Sequence, residues 1–225
     1  MIEAGTATFV AQGYQRTQMQ DVAELLGVAK GTVYAVVSSK EALLLACTRY
    51  ADRIEPAPDP ASWPLPSPAG GELVALVADR LGEVSELALQ GVAEAEPGDA
   101  AVEIELVVTD LMSRLVRHRR AIKIVDRCAP EIPELAELWF GAGRAQLVAQ
   151  LRDYLASRAE LGLVRLTASP AIWDVVARTI VETCVLWAVH LPWDTAPTEF
   201  RSAPADGDVA RVLSALFASG LVADR

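Results

Sequence analysis

The residues that could bind an anion lie close together in the first fifth of the chain. Lys30, Thr32 and Tyr34 occur at spacings of two, and Lys40 follows six residues later at the predicted beginning of another helix. A lysine at a helix N-terminus is unfavourable to the helix dipole. Its position is explained if an anion binds there, because the free backbone N–H groups of the same turn also bind anions. A DNA phosphate is the anion that this pattern favours.

Residues 17–41 predict a helix, a tight turn, a second short helix and the start of a third. Thr17 can cap the first helix with Gln20 as its capping-box partner, and Gly27 ends it in the left-handed conformation. The apolar face of this helix is predicted from spacings of three and four, at Val22, Leu25 and Leu26. Ser38 and Glu41 form a second capping box.

The second short helix turns small or polar groups outward. Such a helix suits the major groove, because bulky groups would hold the backbone away from the base edges. The residues predicted to face outward are Lys30, Gly31, Thr32 and Tyr34.

These residues carry a resemblance to a known family. The matching positions are Gly13-Tyr14, Thr17, Asp21-Val22-Ala23, Leu26-Gly27-Val28, Lys30-Gly31-Thr32-Val33-Tyr34, Ser39-Lys40-Glu41 and Leu44. Over roughly residues 2–54 the chain resembles the N-terminal DNA-binding domain of the tetracycline-repressor (TetR) family. The resemblance implies that Thr17, Tyr34 and Lys40 hold phosphates. It also implies that Lys30, Gly31 and Thr32 face base edges, where Lys30 can pair with guanine O6 and N7.

The chain departs from the family pattern at two points. Val37 stands where the family usually has phenylalanine, and no lysine or arginine precedes Arg16, whereas the family usually begins with a longer, more basic segment. We expect the second departure to affect DNA affinity rather than the fold.

Composition predicts an all-α protein. The hydrophobic content of 52% is ample for a buried core, helix-forming residues dominate, and alternating strand patterns are scarce. We predict about nine helices. The net charge is −10, but residues 1–54 hold five basic and five acidic groups, so the acidic excess lies in residues 55–225. DNA affinity is therefore expected to depend strongly on salt.

Several other classes of protein have little support. The three cysteines lack CxxC spacing, which favours a reducing cytoplasm and argues against a zinc site. The two histidines form no HExxH pattern, no apolar run is long enough to span a membrane, and no signal peptide is visible. No nucleophile–base pair or phosphate loop is present. We expect neither an enzyme nor a metal or cofactor, although a helical enzyme that uses a C-terminal cavity stays an alternative.

Proline content marks the predicted domain boundary. Six of the 13 prolines lie in residues 55–71, so this stretch is predicted to be a stiff, extended linker. It separates a helix-turn-helix DNA-binding domain (residues 1–54) from a helical ligand-sensing and dimerisation domain (residues 72–225). Helices are predicted in the larger domain at about 72–95, 100–119, 121–128, 134–159, 170–190 and 206–218. Their layout also resembles that of the family.

The helix at 170–190 is apolar around nearly its whole circumference, which predicts burial on more than one side. We predict a homodimer, because two reader helices related by a twofold axis would read a palindromic operator. The alternative is a central helix in a monomer core. The predicted dimerisation residues are Ile172, Val176, Ile180, Trp187, Val212, Leu213 and Leu216.

A small-molecule effector site is predicted in the larger helical part. Tryptophans can line such a cavity, and charged side chains on a mostly apolar helix can supply its polar groups. The alternative is that the tryptophans fill a core and the charges are solvated. The candidates are Trp63, Glu105, Arg114, Trp139 and Trp173.

Together, these features and the resemblance predict a ligand-responsive transcriptional repressor in the cytoplasm. It would bind a double-stranded DNA operator as a dimer, and an unknown small molecule would lower its operator affinity. The alternative is a helical small-molecule-binding module with weak or lost DNA binding.

Overall fold

The computed structural model describes residues 1–85, 98–165, 169–193 and 204–222. Within these ranges the chain is helical and has no strand, apart from isolated bridges that pair Val37 with Leu65 and Val164 with Val222. The predicted all-α fold class is confirmed. Among the same residues, no helix is both long enough and apolar enough to cross a bilayer.

The helices agree in position with most of those predicted. In chain order they are α1 (Ile2–Gln12), α2 (Met19–Leu26), α3 (Lys30–Tyr34), α4 (Lys40–Tyr50), α5 (Glu72–Ser85), α6 (Ala100–Arg117), α7 (Arg119–Cys128), α8 (Pro133–Ala136), α9 (Arg144–Glu160), α10 (Pro170–Val185) and α11 (Asp206–Leu221).

Two predicted helices are interrupted by π-helical segments. The helix predicted at 134–159 is divided into α8, a π-helical segment at Glu137–Gly143, and α9. The helix predicted at 170–190 changes from α10 to π-helix at Leu186–His190. The second half of the helix predicted at 72–95 lies outside the described residues.

The chain forms two compact units. The first contains Met1–Leu81 and Arg117–Ala142, and the second contains Gly82–Val116 and Gly143–Arg225. The first unit therefore includes the predicted linker and a later part of the chain. The predicted domain boundaries stay a prediction.

Helix α7 completes the core of the first unit. Phe9, Val33 and Leu43 from the first four helices are fully buried, and Ile124 and Cys128 of α7 belong to the same apolar cluster. Asp52, just after α4, adds a polar connection: its carboxylate accepts the backbone N–H groups of Arg120 and Ala121 at distances of 2.8 and 2.9 Å. The N-terminal turn of α7 is thus capped by the segment that follows α4.

The proline-rich segment packs against the helices of the first unit. Leu65 donates its N–H to the carbonyl of Val36 (2.8 Å) and accepts the N–H of Ser38 (2.9 Å). The Ser67 hydroxyl donates to the hydroxyl of Ser39 at 2.8 Å. Residues 64–67 therefore run alongside the turn between α3 and α4, to which they are hydrogen-bonded.

A buried ion pair joins α6 and α9 in the second unit. Arg158 Nε lies 2.7 Å from Glu103 Oε2, and both residues are less than a tenth exposed. The Tyr154 hydroxyl donates to the same carboxylate oxygen at 3.0 Å, and the N–H of Gly98 donates to the other at 2.9 Å. Burial alone would raise the pKa of Glu103, but the hydrogen bonds from Arg158, Gly98 and Tyr154 outweigh it and lower this pKa.

Candidate nucleic-acid interface

Helix α3 presents its predicted DNA-facing side chains to solvent. Lys30, Thr32 and Tyr34 are exposed, whereas Val33 is fully buried and anchors the helix in the core. A Cβ placed on Gly31 would meet nothing within 4 Å among the described residues. The outer side of α3 is therefore unobstructed, and the Lys30 ammonium lies 6.0 Å from the centre of the Tyr34 ring.

The apolar face of α2 differs from the predicted one. Met19, Val22 and Ala23 are buried, but Leu25 and Leu26 are 61% and 37% exposed. The spacing of three and four residues is kept, but it starts one turn earlier than we predicted. Gly27 then adopts the left-handed conformation (φ 66°) as expected.

Thr17 does not present its hydroxyl to solvent. The residue is 1% exposed, and its Oγ1 donates to the carbonyl of Gly13 at 2.6 Å. The predicted capping pair is wrong, because Gln18 caps α2 together with Asp21, whose carboxylate accepts the N–H of Gln18 at 2.9 Å. A buried threonine hydroxyl that is already hydrogen-bonded stabilises this loop, and the phosphate contact of Thr17 stays a prediction.

Lys40 already has partners within the protein. Its ammonium donates to the carbonyls of Tyr14 and Gln15, at 3.0 and 3.3 Å, and lies 4.5 Å from the centre of the Tyr14 ring. These carbonyls explain a lysine at a helix N-terminus without a bound phosphate. The cap of α4 also moves by one residue from the predicted Ser38, since the Ser39 hydroxyl accepts the N–H of Ala42.

Two carboxylates hold the loop before α2 through contacts that were not predicted from the sequence. Glu131 accepts the N–H of Gln15, and Glu41 accepts the hydroxyl of Tyr14 at 2.6 Å. The Tyr14 hydroxyl bond is the largest cause that lowers the pKa of Glu41. Glu131 lies 116 residues from Gln15, and no local sequence signal identifies such a contact.

The exposed surface around α3 is weakly charged. Residues 24–32 are all exposed, and among them Glu24 and Lys30 carry charge. Arg16 is a further exposed cation in the loop before α2. This surface can offer hydrogen-bond donors and apolar contacts to base edges, but few cations for phosphate.

The predicted effector residues lie in dissimilar surroundings. Trp63 is 43% exposed and Trp139 is buried in the first unit, where its Nε1 donates to Asp126 at 3.3 Å. In the second unit, Glu105 is exposed, Trp173 is 4% exposed, and Arg114 is bonded to Asp110 and to the carbonyl of Glu83. An effector role for these five residues stays a prediction.

The predicted dimerisation residues divide into two groups. Ile180 and Leu213 are buried within the second unit, so their surface is used inside the protomer. Val176 and Trp187 are half-buried. Large exposed apolar side chains of α10, of the π-helical segment after it and of α11 are Ile172, Val175, Leu186, Val212 and Leu216. The free apolar surface therefore includes Val175 and Leu186, which we had not predicted.

Comparison with known proteins agrees with this geometry. Residues 1–47 match the model for bacterial regulatory proteins of the tetR family. Among solved structures, the ketosteroid transcriptional regulator KstR2 of Mycobacterium tuberculosis is similar, with 16% identity, a TM-score of 0.60, and coverage of 99% of this chain and 93% of that chain. No curated protein matches the sequence at a significant level.

Two further solved structures are similar in fold. A tetR-family regulatory protein from Rhodococcus RHA1 has 15% identity and a TM-score of 0.57, with 99% and 96% of the two chains covered. The regulator FadR from Bacillus subtilis, solved in complex with stearoyl-CoA, has 17% identity and a TM-score of 0.50, with 97% and 96% covered. The predicted resemblance to the TetR family is confirmed over residues 1–47, and the chain shares the fold of these solved structures.

Proposed function

We propose that this protein is a ligand-responsive transcriptional repressor that binds a palindromic operator as a homodimer. The observation that carries the proposal is the outer face of α3, where Lys30, Thr32 and Tyr34 are exposed around an unobstructed Gly31. A short helix with this face can approach the base edges in a major groove closely.

The exposed apolar side chains of α10 and α11 support the proposal of a dimer. Val175 is 62% exposed and Leu216 is 61% exposed, and such a group of apolar side chains supports association with a second copy. A single α3 covers few base pairs. Two copies would read half-sites roughly 34 Å apart, one turn of the duplex.

A small-molecule effector is supported by similarity of fold to FadR, which was solved with stearoyl-CoA. An effector can weaken DNA binding only if it binds more tightly to the state with low operator affinity. We infer an effector of this chain without assigning its chemistry from that neighbour.

Selection of random duplex DNA by the purified protein tests the proposal. We expect an enriched palindrome, bound by one dimer or more in native mass spectrometry, with an affinity that falls as salt rises.

Val175→Glu is expected to abolish the dimer, while Val102→Glu, at a similarly exposed valine of α6, leaves it intact. Equal loss of the dimer in both variants would contradict the assigned surface.

The second candidate is a helical binding module with weak or lost DNA binding. It is favoured by the weakly charged surface around α3 and by Lys40, which is engaged by two loop carbonyls. Failure to enrich any sequence at low salt would favour this candidate over the repressor.

A further inference from the structure

The first compact unit contains a cavity of about 740 Å³ between the proline-rich segment and the DNA-reading helices. Its walls come from the beginning of α1, the turn after α3, the end of α4 and residues 55–65. Ligand-binding cavities for small organic molecules typically have volumes of roughly 300–1,000 Å³. This cavity is therefore large enough for such a ligand.

The walls are predominantly apolar and aromatic. Ile2, Val36, Pro58 and Leu65 contribute aliphatic surface, and Trp63 and Tyr50 contribute rings. Trp63 is 43% exposed although it is a large aromatic residue. A ligand in the cavity would remove part of this surface from water, which is favourable.

The charged groups at the edge of the cavity are already paired. Arg53 lies 3.1 Å from Glu3, whose other carboxylate oxygen lies 2.6 Å from Arg120. Glu55 is paired with Arg80. An ionic ligand would have to compete with these pairs and would lose its own hydration, whereas a neutral apolar ligand would do neither.

We propose that this cavity binds a neutral, largely apolar small molecule. Of the predicted effector residues, Trp63 lines the cavity, whereas Glu105, Arg114 and Trp173 belong to the second unit. One wall is the turn formed by Val36 and Val37, and Leu65 both lines the cavity and is hydrogen-bonded to that turn. The occupant therefore contacts the backbone that follows the DNA-reading helix. Binding itself does not depend on the proposed DNA function.

Hydrogen exchange of the full-length protein with two matched probes tests this site. N-phenyl-1-naphthylamine is neutral, and 8-anilinonaphthalene-1-sulfonate adds a sulfonate to the same rings. We expect the neutral probe to slow exchange in residues 54–66 and 35–38, and the anionic probe to do so only at a concentration higher by about tenfold or more. If the neutral probe slows hydrogen exchange only in residues 98–193, the proposed location of the site is wrong. Equal protection by both probes would overturn the assigned chemistry.

A matched pair of variants tests the location independently. Ala57 lines the cavity, so Ala57→Trp fills it, whereas Ala61→Trp adds the same ring to the same segment at an exposed residue outside the lining. Ala57→Trp is expected to lower the affinity of the neutral probe, measured by the protection of residues 54–66, by about tenfold or more, a change of about 1.4 kcal/mol. The affinity of Ala61→Trp for the probe should be close to that of wild type. Equal affinity in both variants would overturn the proposal.

Two further measurements separate the remaining explanations. If residues 54–66 become protected as the protein is concentrated, without any probe, this face is an interface between copies and the proposal is wrong. Binding of duplex DNA is measured on the same samples. If the wild-type protein binds no duplex, the proposed DNA function is contradicted. The binding of the probe is judged independently of that result.

Discussion

Replacing Lys30 with methionine is expected to remove preference for one guanine in each operator half-site. The ammonium lies at the beginning of α3 on an unobstructed face, and it has no ion pair among the described residues. Contact with guanine O6 and N7 contributes about 1–3 kcal/mol of discrimination. The variant should therefore bind the selected operator about 5- to 150-fold more weakly per half-site, with little change on unrelated duplexes.

Fluorescence anisotropy with modified duplexes measures this effect. Substituting 7-deazaguanine removes the N7 acceptor, so wild type should lose affinity for the modified operator while Lys30→Met should not distinguish the two duplexes. The difference between the two losses gives the interaction energy of the side chain with that base. Arg211→Met, which removes an exposed cation from α11 in the second unit, serves as the charge control.

A different pattern would refute this reasoning. If Lys30→Met weakens all duplexes equally and reduces the slope of log affinity against log salt by about 0.9 per protomer, the lysine contacts phosphate. The sequence specificity would then have to come from other residues of α3.

Three further substitutions test the geometry. Lys40→Met should lower the free energy of unfolding by about 1–2 kcal/mol in urea, because two hydrogen bonds from a charged donor are lost. Glu103→Ala should lower it by about 3–5 kcal/mol, since Arg158 would stay buried without its partner. Gly13→Ala should lower it by more than about 1 kcal/mol, because φ is +81° and the new Cβ would lie 2.7 Å from Glu131.

Each substitution has a result that would contradict its explanation. Weaker DNA binding by Lys40→Met with unchanged stability would make this lysine a phosphate ligand alone. A Glu103→Ala protein as stable as wild type would show that the ion pair makes no net contribution. An unaffected Gly13→Ala would mean that the loop before α2 relaxes freely.

The Glu103 ion pair also predicts a pH dependence. Because folding lowers the pKa of this carboxyl from its ordinary value of 4.5, its contribution to stability is complete above that value and is lost as pH falls through the lower, folded pKa. The difference in unfolding free energy between wild type and Glu103→Gln should therefore narrow below pH 4.5, as measured by urea unfolding across a pH series. A constant difference would contradict this assignment.

The parts of the fold that follow from local pattern were predictable. Gly27 ends α2 as expected, and α3 lies where the pattern of small, outward-facing residues predicted a helix. The face of α2 was assigned wrongly because Leu25 fits the same spacing, yet it is 61% exposed. Apolar spacing indicates which residues share a face, but tertiary contact decides whether that face is buried.

Long-range polar contacts could not be predicted. In the sequence, Glu103 is a charged residue on a mostly apolar helix, with no local sign of a partner. The structure shows that it is buried and paired with Arg158, 55 residues later. The proline-rich segment was predicted to be an extended linker, since prolines exclude regular helix. Its hydrogen bonds to the turn after α3 depend on backbone groups that no side-chain pattern reveals.

The return of α7 into the core of the first unit limits how this protein can be re-engineered. Ile124 and Cys128 fill space among the helices of residues 1–50, and Asp52 caps α7. Exchanging residues 1–54 for those of a relative would leave α7 facing a foreign core. A chimaera with altered operator preference should therefore keep the native buried residues of the first four helices and transplant only the exposed positions of α3.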